Sequence, residues 1–339
     1  MNVAVTDPTY APSSDPGVFE RFAVRLINDP RDVPFVRLVL TLALLVVPSA
    51  IAMFVFFRWW LAVPYLAMLL WFVGPFILML HNTSHTRLFR RRFGWLNVVI
   101  PWILGPFFGE TPETYFAHHV GMHHPQNNLE ADLSSTMKYE CDSALGFARY
   151  LARFLGFALV DLVRYFAARK QRALLRRTLV GELSYLAIAA VLFAVDWRAA
   201  IVVVAVPFFF TRSAMMAGNW AQHAFIDRDA PGNCYRNSIT CINSAYNRRC
   251  FNDGYHIGHH VKQTRHWSEL PGDFEANRAT YAREGAIVFQ GIDFFGVWVL
   301  LMLKQYGALA KRYVELDGRG RSLAEIEALL RERVKRIGA

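Results

Sequence analysis

Four of the eleven histidines lie within seven residues, in the stretch Tyr115-Phe-Ala-His-His-Val-Gly-Met-His-His-Pro125. Thr111-Pro112-Glu113 ahead of it reads as a helix start, because a threonine oxygen caps free N–H groups and proline is tolerated at the first helical position. Pro125 argues for a stop soon after. On such a helix His119 and His123 stand four residues apart on one face and His124 follows on an adjoining one, so two or three imidazoles would converge. A single helical histidine pair is a weak signal, but this one is repeated. His81-Asn-Thr-Ser-His85 has the same spacing, His256-Ile-Gly-His259-His260 supplies positions i, i+3 and i+4, and Asn219-Trp-Ala-Gln-His223 sets a ninth imidazole beside an amide.

Neutral imidazole suits zinc, copper, iron and nickel, so residue type does not name the metal. Count says more. Nine imidazoles exceed what one tetrahedral zinc can use and match two metals sharing a pocket with open positions. The Glu-x-x-His pattern of soluble carboxylate di-iron bundles is absent. Cys141, Cys234, Cys241 and Cys250 form no Cys-x-x-Cys pair, and no Gly-x-Gly-x-x-Gly is present to cradle a dinucleotide.

Holding those imidazoles together requires a scaffold, and composition indicates which. Of 339 residues 54% are hydrophobic, in long uncharged runs, which predicts an all-α polytopic membrane protein. Residues 38–57 carry no charge between Arg37 and Arg58, a length that at helical rise matches the roughly 30 Å of hydrocarbon. Trp59 and Trp60 stand where an aromatic belt belongs, and residues 61–80 cross back to deliver His81 and His85 to the surface. Arg87, Arg90, Arg91 and Arg92 follow at once and mark that side as cytosolic. Residues 93–109, with two internal prolines, predict a re-entrant or interfacial segment. The arginine-rich residues 142–177 have the composition of amphipathic helices on an anionic leaflet. Residues 179–195 and 199–220 make a third and a fourth span around the turn Asp196-Trp197-Arg198. Glu182, inside the third, is either a snorkelling charge or part of a site.

Four spans place every histidine cluster on one face. Residues 285–303, interrupted by Gln290 and Asp293, are expected to form a buried or interfacial helix rather than a fifth span. The net charge of +10 follows from the positive-inside rule and calls for no nucleic acid. Three regions result. Residues 1–18 are expected to be a disordered lead-in without the pattern of a signal peptide. The membrane domain occupies residues 19–305. Residues 306–339 form an amphipathic helical tail, begun by the capping-box pattern Ser322-x-x-Glu325 and carrying Leu323, Ile326, Leu329, Leu330 and Val334 at helical spacing.

With three histidine boxes in this order, over residues 61–267, the chain resembles the membrane fatty acid desaturase and hydroxylase superfamily. The Asn219 and His223 element is similar to the additional Asn and His with which acyl-CoA desaturases of that superfamily complete their di-iron site. The resemblance implies about four transmembrane helices and a cytosolic helical cap holding a His-rich di-metal site. It further implies two non-haem iron ions held by His81, His85, His119, His123, His124, His223, His256, His259 and His260, with O2 as co-substrate. The reaction implied removes hydrogen from an unactivated C–H bond of a fatty-acyl or lipid-like chain. Two features depart from the usual pattern: His118 doubles the second box, and the first box has the shorter three-residue spacer. Asn219, His118 and Asp253 are candidates for outer contacts to the metal site, Asp253 by orienting a ligand imidazole.

The substrate implied is a membrane lipid or acyl group, carried on CoA, on an acyl carrier protein or in a phospholipid. The chain has no haem-binding His-Pro-Gly-Gly segment, no cysteine cluster and no nucleotide fold, so electrons must come from a separate protein such as a ferredoxin, a rubredoxin or a cytochrome-b5-type donor. An O2-dependent desaturase introducing a C=C bond is the leading expectation, and a hydroxylase or monooxygenase of the same superfamily the alternative. A His-lined metal transporter or sensor is the third reading. It predicts ligands near mid-membrane, whereas these clusters fall at helix ends. The preference for arginine over lysine suggests a bacterial plasma membrane rather than the endoplasmic reticulum, with the site on the cytosolic side.

Overall fold

The second apolar run does not end where its hydropathy ends. Its helix spans Trp59–His85. Asn82 Nδ2, Thr83 Oγ1 and Ser84 Oγ donate to the carbonyls of Leu78, Met79 and Leu80 at 2.7, 2.8 and 2.7 Å, so these polar side chains are satisfied by their own helix. The helix therefore carries His81 and His85 on one face into its last turn. A computed structural model describes residues 3–338 of the chain. Among them four helices are long and apolar enough to cross a membrane: Pro30–Val55, Trp59–His85, Arg172–Val195 and Trp197–Gln222. Leu44, Val63, Trp71 and Val191 on these helices are exposed, as expected where the solvent is lipid.

The chain divides into two units. The first comprises Tyr10–Gly121 and Leu159–Ser213. In it the residues leading into the second histidine box lie against the third span. Gly181 is where that approach is closest, since a Cβ there would stand 1.6 Å from the Pro112 carbonyl oxygen. Thr111 Oγ1 donates to Glu182 Oε1 at 2.5 Å and accepts from Arg212 Nη2 at 3.1 Å. Glu182 thus neither snorkels nor lines the histidine site: it anchors a loop. Thr111 is consequently not the helix cap expected of it. The helix begins at Thr114 instead, after Glu113 at φ 66°, and Glu113 is held by Arg177 at 2.7 Å and by Trp102 Nε1 at 3.0 Å. Residues 91–108 are a succession of 3-10 and π turns, Arg91–Val98, Val99–Leu104 and Gly105–Phe108, and form no span.

The second unit comprises Met1–Thr9, Met122–Ala158 and Ala214–Ala339. Its core gathers Trp220, Phe225, Phe289, Phe294, Val297 and Leu330. Two short strands, β1 (Ile239–Ile242) and β2 (Ile287–Gln290), pair in parallel with Ile239 opposite Ile287. Parallel pairing demands a long crossover, and the crossover here contains the third histidine box as the helix His256–Val261. Residues 285–303 are therefore not one helix. They split into β2 and a helix Phe294–Met302, because Asp293 caps that helix by accepting from Gly296 N at 2.8 Å.

The tail helix Leu323–Arg333 starts at a true capping box, with Ser322 and Glu325 each bonded to the other's backbone N–H. Ile326, Leu330 and Val334 bury into the core, while Leu323 stays exposed. The lead-in also departs from expectation. Thr6 and Asp7 are not disordered: Asp7 is buried and accepts three hydrogen bonds from residues 243–255.

Candidate metal centre

In the first unit His81, His85 and His119 bring one ring nitrogen each within 4.8 Å of the others. His119 Nε2 and His85 Nε2 are 3.1 Å apart, and the rings of His81 and His119 lie 4.5 Å apart between centroids. Tyr115, one turn earlier, stacks on His119 at 5.2 Å. A cavity of about 430 Å³ opens beside His85, its wall including Leu80, Ile100, Phe116 and Glu110. Burial raises the Glu110 carboxyl to about 7 against the pull of Arg212.

In the second unit His123, His223, His256 and His260 form another buried cluster, again with their nitrogens within 4.8 Å. His256 Nε2 stands 3.2 Å from His223 Nε2. His124 and His259 face each other through their Nε2 atoms at 2.9 Å. Each cluster takes a different member of the second box. His119 belongs to one cluster and His123 to the other, at opposite ends of a π turn, His119–His123, that widens the helix between them.

Three of the four rings in the second cluster are held by their Nδ1 atoms. His123 Nδ1 meets Asp132 Oδ2 at 2.7 Å, His223 Nδ1 meets the Asn237 carbonyl at 2.8 Å and its side-chain oxygen at 3.1 Å, and His260 Nδ1 meets Asn127 Oδ1 at 3.1 Å. Each acceptor fixes the proton on Nδ1 and leaves the Nε2 lone pair for the cluster. Burial, then the neighbouring His123, lowers the His223 pKa to about 4, and burial with the surrounding imidazoles holds His256 well below its ordinary value. Both rings are neutral at pH 7.

Of the candidates for outer contacts, Asn219 donates to the Ser134 carbonyl at 3.0 Å and to the Tyr150 hydroxyl at 2.8 Å. It braces the loop that carries Asp132. Asp253 accepts from the Tyr246 hydroxyl at 2.8 Å, and His118 closes the short helix Thr114–His118. Asp132, Asn127 and Asn237 were not among the sequence candidates. Asp132 is nine residues past His123 in a run of small polar residues, and its backbone turns, with Asn127 and Asn128 at φ 49° and 59°, carry no signal beyond a preference of Asn for such conformations.

The donor set fits a metal. Nitrogens bound to one ion at about 2.1 Å would lie about 3.0 to 3.4 Å apart for right-angle and tetrahedral arrangements. The observed separations of 3.1 and 3.2 Å fall in that interval. For His223, whose Nδ1 proton is taken by Asn237, the Nε2 lone pair is buried facing a second imidazole nitrogen, and a cation between the two would satisfy both. His256 Nδ1 adds to the case, being buried with no hydrogen-bond partner among the described residues.

A family model for fatty acid desaturases matches residues 57–291, which enclose all nine of these histidines. The chain belongs to the fatty acid desaturase family. Searches among curated proteins and among solved structures return no match. Within the desaturase and hydroxylase superfamily this is a membrane oxidoreductase with two His-rich clusters able to hold a di-metal site.

Proposed function

We propose that this desaturase-family protein introduces a C=C bond into a fatty-acyl or lipid-like chain, using O2 and electrons from a separate donor protein. The observation that carries the proposal is the pair of all-imidazole clusters, one beside a partly apolar cavity, in a membrane chain of this family. His81, His85 and His119 serve as ligands in one cluster, and His123, His223, His256 and His260 in the other. His124 and His259 complete the nine. The metals are two non-haem irons, which when bound supply oxygen activation and hydrogen removal.

The remaining work falls to the chain. Asp132, Asn237 and Asn127 hold ligand rings in the tautomer that offers Nε2. Leu80, Ile100 and Phe116 give an acyl chain an apolar strip beside His85, on a wall that Arg87, Arg177, Glu110 and Glu113 otherwise make charged. Glu110 is a group on the same wall able to hold a proton at its carboxyl near neutral pH. The reaction balances as loss of two hydrogens from adjacent carbons, with O2, two electrons and two protons giving two waters. The arginines after the second span support a site on the cytosolic face, where they would attract an acidic donor protein.

The test is expression in a lipid-rich host with mass spectrometry of total lipids, paired with metal analysis of the purified protein. A product lighter by two hydrogens, together with two irons per chain, is expected. A product heavier by one oxygen atom would make the protein a hydroxylase. Stoichiometric zinc without iron in active protein would overturn the iron assignment.

A further inference from the structure

Residues 3–9 lie outside the desaturase-family match, yet they are fastened to the third histidine box. Asp7 is 7% exposed, and a single carboxylate oxygen, Oδ2, accepts from Asn243 N at 2.6 Å, Asn247 Nδ2 at 2.9 Å and the Tyr255 hydroxyl at 2.7 Å. Thr6 N donates to Asn243 Oδ1 at 2.7 Å, and Asn252 Nδ2 donates to the Pro8 carbonyl at 2.9 Å and to the Trp267 carbonyl at 3.2 Å. Arg278 donates to the Val3 carbonyl. Val3 and Val5 pack on the cluster formed by Ile242, Tyr255, Ile257 and Val288.

These bonds reach both flanks of the box. Tyr255 immediately precedes His256, and its carbonyl accepts from His259 N at 3.1 Å, so the first turn of the box helix hangs from the residue whose hydroxyl Asp7 holds. Asn252 links the same strap to Trp267, beyond the helix. The intervening loop needs such a clamp. Asn243, Phe251 and Asn252 take φ of 56°, 53° and 56°, a conformation Asn tolerates but one costly for Phe251, where surrounding contacts must maintain it.

We propose that residues 3–9 are a positioning strap for the third histidine box, with Asp7 as its anchor. The inference rests on the proposed ligand role of His256, His259 and His260, but the bonds it invokes exist whether or not metal is bound. Without Asp7, the Asn243 N–H, the Asn247 amide and the Tyr255 hydroxyl lose a shared buried acceptor, and the loop that sets the direction of the three imidazoles is released.

The experiment compares the full-length protein in detergent with Asp7→Ala and with a deletion of residues 1–9, by hydrogen exchange and by titration with iron. In Asp7→Ala, exchange over residues 243–261 should rise about tenfold or more while residues 59–85 stay as protected as before. Affinity for added iron should fall about tenfold or more. Adding a synthetic peptide of residues 1–12 to the deletion variant should restore protection and iron binding, and the same peptide carrying Asp7→Ala should not. Unchanged exchange over 243–261, an equal rise over 59–85, or rescue by both peptides overturns the strap. If the parent binds no iron while Asp7→Ala still loosens 243–261, the strap stands and the metal assignment falls.

Discussion

Replacing Asp132 separates what holds the second-unit cluster together from what makes it bind metal. Its side chain has no exposed surface and accepts four hydrogen bonds: His123 Nδ1 at 2.7 Å and Asn128 N at 3.0 Å on one oxygen, Ser134 N at 2.8 Å and Ser134 Oγ at 2.7 Å on the other. In Asp132→Ala all four donors lose their acceptor. Buried donors left unmade cost about 1 to 3 kcal/mol each, and water entering the space vacated by the carboxylate recovers part of it, so the net loss of stability is about 3 to 5 kcal/mol. Asp132→Asn keeps the volume and one acceptor oxygen. Its NH2 group, if turned to His123, makes Nδ1 the acceptor and moves the imidazole proton to Nε2, which removes that ring from the ligand set. Metal affinity should then fall about 10- to 100-fold, about 1.4 to 2.8 kcal/mol, with a smaller loss of stability than in the alanine variant. The assay is titration with ferrous iron or cobalt, beside a thermal melt of the metal-free protein. An asparagine variant that binds metal as tightly as the parent would refute the role given to the Asp132 carboxylate.

Gly181→Ala should abolish recovery of folded protein, because its Cβ would meet the Pro112 carbonyl at 1.6 Å and backbone cannot step aside; Gly218→Ala, with open space around its Cβ, should be tolerated. Size-exclusion profiles of the two variants in detergent check this, and a monodisperse Gly181→Ala peak would contradict it. Burial raises the Asp253 carboxyl to about 7, opposed by the Tyr246 hydroxyl that donates to it. The folded state thus keeps the proton over a range where the unfolded chain, titrating at about 4, has released it. Stability should fall as pH rises from about 4 to about 7 and level off above, and Asp253→Asn should flatten that part of the profile in melts across pH 5 to 8. An unaltered slope in the variant would remove Asp253 from the titration.

The spans and the histidine boxes were legible because both are periodic signals. Apolar length announces a crossing, and two histidines four apart announce a shared helical face. What stayed hidden is set by contacts distant in sequence. The division of the second box between two clusters depends on a π turn that spacing alone does not reveal. Asp132, Asn127 and Asn237 become ring acceptors only after irregular loops fold, and nothing in their local composition separates them from ordinary turn residues. Ile287-Val288-Phe289 is a short apolar run of the kind that fits strand or helix equally, and it becomes a strand by pairing with residues nearly fifty positions earlier. Asp7 looks like part of a polar lead-in because its partners lie about 240 residues away.

The Thr111, Glu182 and Arg212 contact also bears on how the protein enters the membrane. Glu182 belongs to the third apolar helix and Arg212 to the fourth, where they approach to 3.6 Å and share the Thr111 hydroxyl. An ionisable side chain in an apolar helix opposes insertion by about 2.5 to 3.5 kcal/mol at the centre and by less towards the ends, so each helix alone inserts less readily than its apolar length suggests. The two are joined by the turn at Asp196, whose carboxylate accepts from Arg198 N at 2.9 Å, so a hairpin of both helices would bring the opposite charges together. Inserting the third and fourth spans together would thus cost less than inserting them one at a time, and the loop that introduces the second histidine box is secured by the same contact.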